Sequence, residues 1–318
     1  MSARLHPGHG LPAEFRRVAR SEVGRAVDLL TDPSLPRGKV LHETRKRLKK
    51  VRAALALVRS ADEDFYKREN ARYRDMARAI AGAREASALI ETLDRFERDF
   101  PDPTSGDALG PLRRILTARR DAALAEDTAL DEAIANAVRD CGEGLDRLDA
   151  FRPGGSVEHD AAIPAEGAAA TVKKARKAIA SAAQGGHAED FHDLRKAVKR
   201  HWTQLEHIGD LWPGAVAPRR RALKDLGELL GELNDIAVMR ERLRAMVATD
   251  ETGAAIALMR KLMARKEKSL RRRSLDRATR LFAMRPKAVR KAIDAAWRAA
   301  ADRPAPARDA RRALALAG

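Results

Sequence analysis

Apolar positions recur along this chain at the three- and four-residue steps of a helix, and no segment alternates with the two-residue period of a strand. The spacing of Leu41, Thr44, Leu48, Val51, Leu55 and Val58 predicts an amphipathic helix with one buried stripe. Clusters of Pro, Gly and Asp interrupt such stretches at Asp32-Pro33, Phe100 to Gly110, Arg152 to Gly155, Gln184 to Gly186, Trp212 to Gly214 and Arg285-Pro286. They divide the chain into predicted helices over 12–31, 39–61, 64–98 and 109–148, then 164–184, 188–210, 216–248, 252–282 and 286–301.

The polar pattern repeats as well. His42-Glu43-Thr44-Arg45-Lys46-Arg47-Leu48-Lys49-Lys50 is echoed 150 positions later by His192-Asp193-Leu194-Arg195-Lys196-Ala197-Val198-Lys199-Arg200. Gly82-Ala83-Arg84-Glu85 and Glu232-Leu233-Asn234-Asp235 keep the same separation. Leu112 to Leu124 matches Leu258 to Leu270, pairing Arg119 with Arg265 and Asp121 with Glu267, and a weaker match pairs Arg25 with Lys177. Repeats in register across several helices predict an all-α fold of two tandem four-helix-bundle repeats related by a pseudo-two-fold axis. The expected layout is one domain over 12–301, with repeats at 12–148 and 164–301 joined by a linker at 152–163. Residues 302–318 are expected to add a short C-terminal helix or tail.

Composition sharpens this picture. Across 318 residues, 44% apolar content suffices for a core, and Ala, Leu, Arg, Glu and Lys favour helices over strands. Lys and Arg number 63 against 46 Asp and Glu, a formal charge of +17 that attracts anionic partners. The lone Cys141 cannot form an internal disulfide and is expected to be a buried helix residue. Neither a signal-peptide pattern nor an apolar run of about 20 residues is present, so a cytoplasmic location without membrane insertion is expected.

Residues at offsets 0, 3, 4 and 7 share one helix face. His42, Arg45, Lys46, Lys49, Lys50 and Arg52, with His192, Arg195, Lys196, Lys199 and Arg200, therefore form two cationic stripes expected to bind an anion. Arg25, Lys177, Arg119 and Arg265 join them through the weaker matches. Arg supplies a planar fork for phosphate oxygens and Lys a mobile point charge. His201 aligns with Val51 on the apolar side and is expected to be structural.

Other chemistries fit less well. Histidine spacings give no helical metal pair, and phosphate-binding, nucleophile-elbow and dinucleotide-binding glycine motifs are missing. Glu85 with Asp235, and Asp121 with Glu267, could be imagined as hydrolase carboxylates, but salt bridges orienting an Arg such as Arg84 or Arg119 are the simpler expectation. Aromatic content of 4% leaves little for base stacking, and Trp202, Trp212 and Trp297 read as packing residues.

The two histidine-led helices, each His-x-x-Arg-x-x-x-(Arg/Lys)-(Arg/Lys), and Asn234-Asp235 before an apolar helix resemble the CHAD family, the conserved histidine α-helical domain. The first-half counterpart, Arg84-Glu85, departs from that second motif. The resemblance covers about 12–301 and implies an all-helical domain that binds inorganic polyphosphate through basic residues, associates with polyphosphate granules and performs no catalysis. Some members carry a triphosphate-processing domain with a Glu-x-Glu-x-Lys motif, which this sequence lacks, so a stand-alone binding domain is expected. Neither a cofactor nor a metal is expected. The alternatives are weak non-specific nucleic-acid binding and a metal-dependent phosphohydrolase; the oligomeric state is left open.

Overall fold

The computed structural model describes residues 4–302 except 125–127 and 154, with the side chains of 82–85 and 123–128 also left aside. Among these residues it is helical throughout, without strands. The helices are α1 (Leu11–Thr31), α2 (Arg37–Leu57), α3 (Glu63–Ala79), α4 (Gly82–Asp99), α5 (Gly110–Leu124), α6 (Thr128–Arg147), α7 (Val157–Gln184), α8 (Ala188–His207), α9 (Pro213–Arg244), α10 (Gly253–Leu281) and α11 (Pro286–Ala301). Short 3₁₀ turns lie at Pro7–His9 and Leu148–Ala150.

Three expected helices differ. The helix expected over 109–148 is found as α5 and α6, on either side of residues 125–127, which lie outside the described residues. The other two differ for local reasons. The helix expected over 64–98 is two helices, because Ile80 drops fully into the core as the C-cap of α3 and Gly82, a weak helix former, opens α4. The helix expected from 164 begins at Val157, inside the stretch expected as linker. Ser156 caps it by accepting from the His159 N–H, Glu158 and Asp160 favour its N-terminal turn, and Pro164 is carried within it. A proline there forfeits one backbone hydrogen bond and leaves the surrounding helix in place. The expected C-terminal segment, from residue 303 onward, lies outside the described residues.

The core runs through the whole structure. In the first part the rings of Phe15, Phe65 and Phe151 meet at centroid separations of 4.6 to 6.2 Å. In the second, Trp297 of α11 is completely buried, and α11 packs on α7. Cys141 is buried, as expected, and burial pushes its thiol up to about 12. Trp212 departs from the packing expectation: it is 54% exposed at the N-cap of α9, where Pro213 starts the helix beyond the packed face.

Successive helices pack in sequence, α1 on α2, α2 on α3, α7 on α8, α8 on α9 and α9 on α10. Further contacts join the halves, among them α2 on both α7 and α8, α4 on α9 and α5 on α10. The seam also contains hydrogen bonds. Leu5 N–H donates to the His207 carbonyl at 2.7 Å, and Asp160 Oδ2 of α7 accepts the Leu11 N–H at 2.7 Å. A carboxylate from one half thus caps the first helix of the other. Asp160→Ala is expected to cost about 0.5–2 kcal/mol, the usual range for a lost N-cap. Urea unfolding of the two proteins measures it, and an unchanged midpoint would mean the cap contributes nothing.

Candidate anion-binding site

The buried stripe of α2 contains Leu41, Thr44, Leu48, Val51 and Leu55, and that of α8 contains Phe191, Leu194, Val198, His201 and Leu205. Helical geometry then places His42, Arg45, Lys49 and Arg52 along one flank of α2, and His192, Arg195 and Lys199 along the matching flank of α8. Because α2 and α8 pack together, the two flanks meet. Lys49 feels Arg45 and Arg52 from its own helix and Arg195 and Lys199 from the other half. Lys199 in turn feels Arg195, Lys46 and Lys224, while Arg52 feels Arg200.

This crowding has a measurable electrostatic consequence. Desolvation by surrounding protein, followed by repulsion from Arg45, Arg195, Lys199 and Arg52, pushes the Lys49 ammonium down to about 8. Arg52 is pushed down to about 10, first by burial and then by Arg200. Burial likewise lowers Arg195 and Lys199, with Asp235 and Glu228 opposing the shift at one residue each. Lys49 and Lys199 nevertheless remain exposed to water on one side. An incoming anion can therefore reach them, and would relieve the repulsion that the protein leaves uncompensated.

Helix α9 supports the α8 stripe from below. Asn234 Oδ1 can only accept, so the 2.7 Å contact fixes the proton on His192 Nδ1 and leaves Nε2 to accept, or to donate once protonated. Asp235 pairs with Arg95 of α4 at 3.2 Å and also attracts Arg195. Gly227 and Gly231, one turn apart, give the two long side chains room: a Cβ on Gly227 would meet Lys199 Cδ at 3.2 Å, and one on Gly231 would meet Arg195 Nε at 3.9 Å. Lys199 and Arg220 both lie over the half-buried Trp202 ring, each 5.1 Å from its centre.

Neither glycine was among the residues singled out by sequence, although the signal was present. A glycine inside a helix costs about 1 kcal/mol relative to alanine, so two at a four-residue spacing need a packing reason. Lys174 and Lys224 were also overlooked, because they lie outside the repeated motif. Lys174 is lowered by burial and by Arg200.

The remaining sequence candidates have different surroundings. Lys50 is mostly buried and pairs with Glu206 at 2.5 Å, so it ties α2 to α8. Arg25 lies 3.9 Å from the fully buried Glu22. His42 is 51% exposed, 3.8 Å from Glu43. Lys46 and Lys196 pair with Glu43 and Asp193 at 3.1 and 2.6 Å. Lys177, Lys196 and Arg200, with Lys174, line a separate cavity of about 310 Å³ between α7 and α8. Arg119 is exposed on α5, and Arg265 lies over the Phe100 ring at 5.4 Å, beside a cleft of about 640 Å³.

Of the carboxylates considered for hydrolysis, Asp235 pairs with Arg95, Asp121 with Arg120, and Glu267 with Arg240 and Arg271. These are salt bridges, as expected, with partners other than Arg119 among the described residues; the Arg84 side chain lies outside them. The Glu85 side chain lies outside the described residues. His201 is structural, as expected: it is 1% exposed, and burial followed by repulsion from Arg219 pushes it down to about 3. Among the described residues, no three His, Cys, Asp or Glu side chains gather as a metal site. No described helix is long and apolar enough to cross a membrane.

Fold and site together define an all-helical protein in which two histidine-led helices bring clustered cations to one face. The CHAD domain family model matches residues 29–244, and the chain belongs to the CHAD family. Comparison with curated proteins finds no match.

Proposed function

We propose that this protein binds inorganic polyphosphate, without catalysis, on the face where the α2 and α8 stripes converge, and that it associates with polyphosphate granules. The observation that carries this reading is Lys49 held among Arg45, Arg52, Arg195 and Lys199 from both halves. A flexible polymer of regular negative charge matches such a cluster, which offers many phosphate contacts and no shaped pocket for a base or sugar. The sequence repeat and the pairing of α2 with α8, α4 with α9 and α5 with α10 support a pseudo-two-fold arrangement of four-helix units, in which equivalent helices meet across the axis.

Binding should fall with salt and rise with chain length. It should also depend on pH. A bound anion raises the Lys49 value back toward 10.5, so above about pH 8 each complex takes up part of a proton. Affinity is expected to decline from about pH 8 to 10, approaching tenfold per pH unit from this residue, and Lys49→Arg should flatten that decline. Fluorescence anisotropy of labelled polyphosphate across this range reads both effects. An identical decline in Lys49→Arg would remove Lys49 from the site. Displacement of long-chain polyphosphate by duplex DNA at matched charge would instead favour the nucleic-acid reading.

A further inference from the structure

We infer that the cavity between α7 and α8 is a second, separate site, which takes a compact phosphate anion such as hydrogen phosphate or pyrophosphate. Its volume of about 310 Å³ stands at the bottom of the usual span for small-molecule sites, about 300–1,000 Å³. Lys174 and Lys177 line it from α7, and Lys196 and Arg200 from α8. Lys196 is neutralised by Asp193 at 2.6 Å. Lys174, Lys177 and Arg200 make no ion pair among the described residues.

The internal repeat shows how such a site arises. The match of Arg25 with Lys177 makes Glu22 the counterpart of Lys174, and the 150-residue register makes Arg47 the counterpart of Ala197 and Lys50 that of Arg200. Packing keeps this correspondence. Helix α1 packs on α2 as α7 packs on α8, Glu22 lies 3.9 Å from Lys50, and Arg200 is the strongest charge acting on Lys174. In the first half the fully buried Glu22 carboxylate gathers Arg47 at 3.1 Å and Arg25 and Lys50 at 3.9 Å. In the second half a lysine stands in place of that carboxylate, and Ala197, on the cavity wall, stands in place of the long Arg47 side chain. An internal anion is lost and room is gained at the same point. An anion from solvent would supply there what Glu22 supplies in the first half.

The wall also selects the anion. Three cations without a carboxylate among them favour an oxyanion of charge two or more, with oxygens facing both helices. Asp190 and Asp193 lie on the same wall, and their carboxylates can only accept hydrogen bonds. A ligand that keeps a proton can donate to them; hydrogen phosphate and pyrophosphate do so near neutral pH, and sulfate does not. The Ser181 hydroxyl adds a donor from α7.

Isothermal titration calorimetry of the full-length protein with pyrophosphate, phosphate and sulfate, in about 0.15 M salt, tests the site. Pyrophosphate and phosphate are expected to bind, and sulfate at least about tenfold more weakly than phosphate. Lys174→Glu, which gives the second half the carboxylate of the first, should weaken pyrophosphate binding at least about tenfold while leaving the urea midpoint equal or higher. Adding Ala197→Arg rebuilds the first-half arrangement and should abolish binding. The variant with Arg45, Lys49, Arg195 and Lys199 changed to alanine should still take up pyrophosphate, since none of those four lines the cavity. Undiminished affinity in Lys174→Glu would overturn the proposal, as would loss of binding in the quadruple variant, sulfate binding as tight as phosphate, or a wild type that takes up no pyrophosphate. Polyphosphate affinity is a separate measurement, so its failure bears on the proposed function and leaves this site standing.

Discussion

Changing Arg45, Lys49, Arg195 and Lys199 together to alanine is expected to weaken long-chain polyphosphate binding by roughly two hundredfold in about 0.15 M salt, taking the single-stranded nucleic-acid coefficient as guide. That coefficient, about 0.7 per neutralised charge, makes each cation worth about fourfold between 0.15 and 1 M salt. The slope of log affinity against log salt should fall by about 3 for the same reason. Stability should move the opposite way. Lys49 is held below its unfolded value, so its charged form opposes folding; the penalty is full below about pH 8 and disappears as pH rises toward 10.5. Lys49→Met, which keeps the packing and removes the charge, is therefore expected to raise the urea midpoint at pH 7 while lowering affinity. Weaker binding without added stability would mean the residue is not under repulsive load in the free protein.

The second large effect lies at the seam. Glu206 faces Lys50 at 2.5 Å and Arg220 at 3.2 Å, and Lys50 also approaches the buried Glu22, which pairs with Arg47 at 3.1 Å. Burial tends to raise the Glu206 carboxyl, but Lys50 and Arg220 outweigh it and hold the group below the ordinary value. Glu206→Ala leaves Arg220 without its carboxylate and Lys50 with only the more distant Glu22, and should cost about 3 kcal/mol. Lys50→Met with Glu206→Met should recover most of that loss, because an apolar pair of similar volume needs no counter-charge. The Glu206 contribution is present above about pH 4.5 and is lost as pH falls through its folded value, so the wild-type advantage over Glu206→Ala should narrow in acid. Urea titrations of the three proteins at pH 7 and pH 4 test both statements. A Glu206→Ala midpoint equal to wild type would show the network to be inert.

Much of this architecture was legible in the sequence because both of its signals are periodic. Helical spacing identified the buried stripe of α2, and the offset repeat carried that face to α8 through His201 and identified the cations beside both. The break at Ile80 escaped, since an apolar residue that ends a helix by entering the core resembles one that continues it. Pro164 misled for the converse reason: it reads as punctuation, yet helix capping at Ser156 lets α7 begin ahead of it. Within the site, spacing revealed which cations share a face but not which have counter-ions. Lys49 and Lys50 are adjacent and chemically alike, yet the strongest charges around one are cations and the other pairs with a carboxylate 156 residues away. That distinction depends on tertiary contacts, and the support from Gly227, Gly231 and Asn234 comes from a helix outside the histidine motif.

The long reach of the seam also has a consequence during synthesis. Leu11 waits for Asp160 and Lys50 for Glu206, so the first half leaves the ribosome with its leading helix uncapped and an enclosed lysine unpaired. At about 5–20 residues per second, translation leaves that state standing for roughly 8–30 seconds. Throughout the interval the nascent chain presents one cationic stripe without its counterpart to the crowded, polyanion-rich surface of the ribosome.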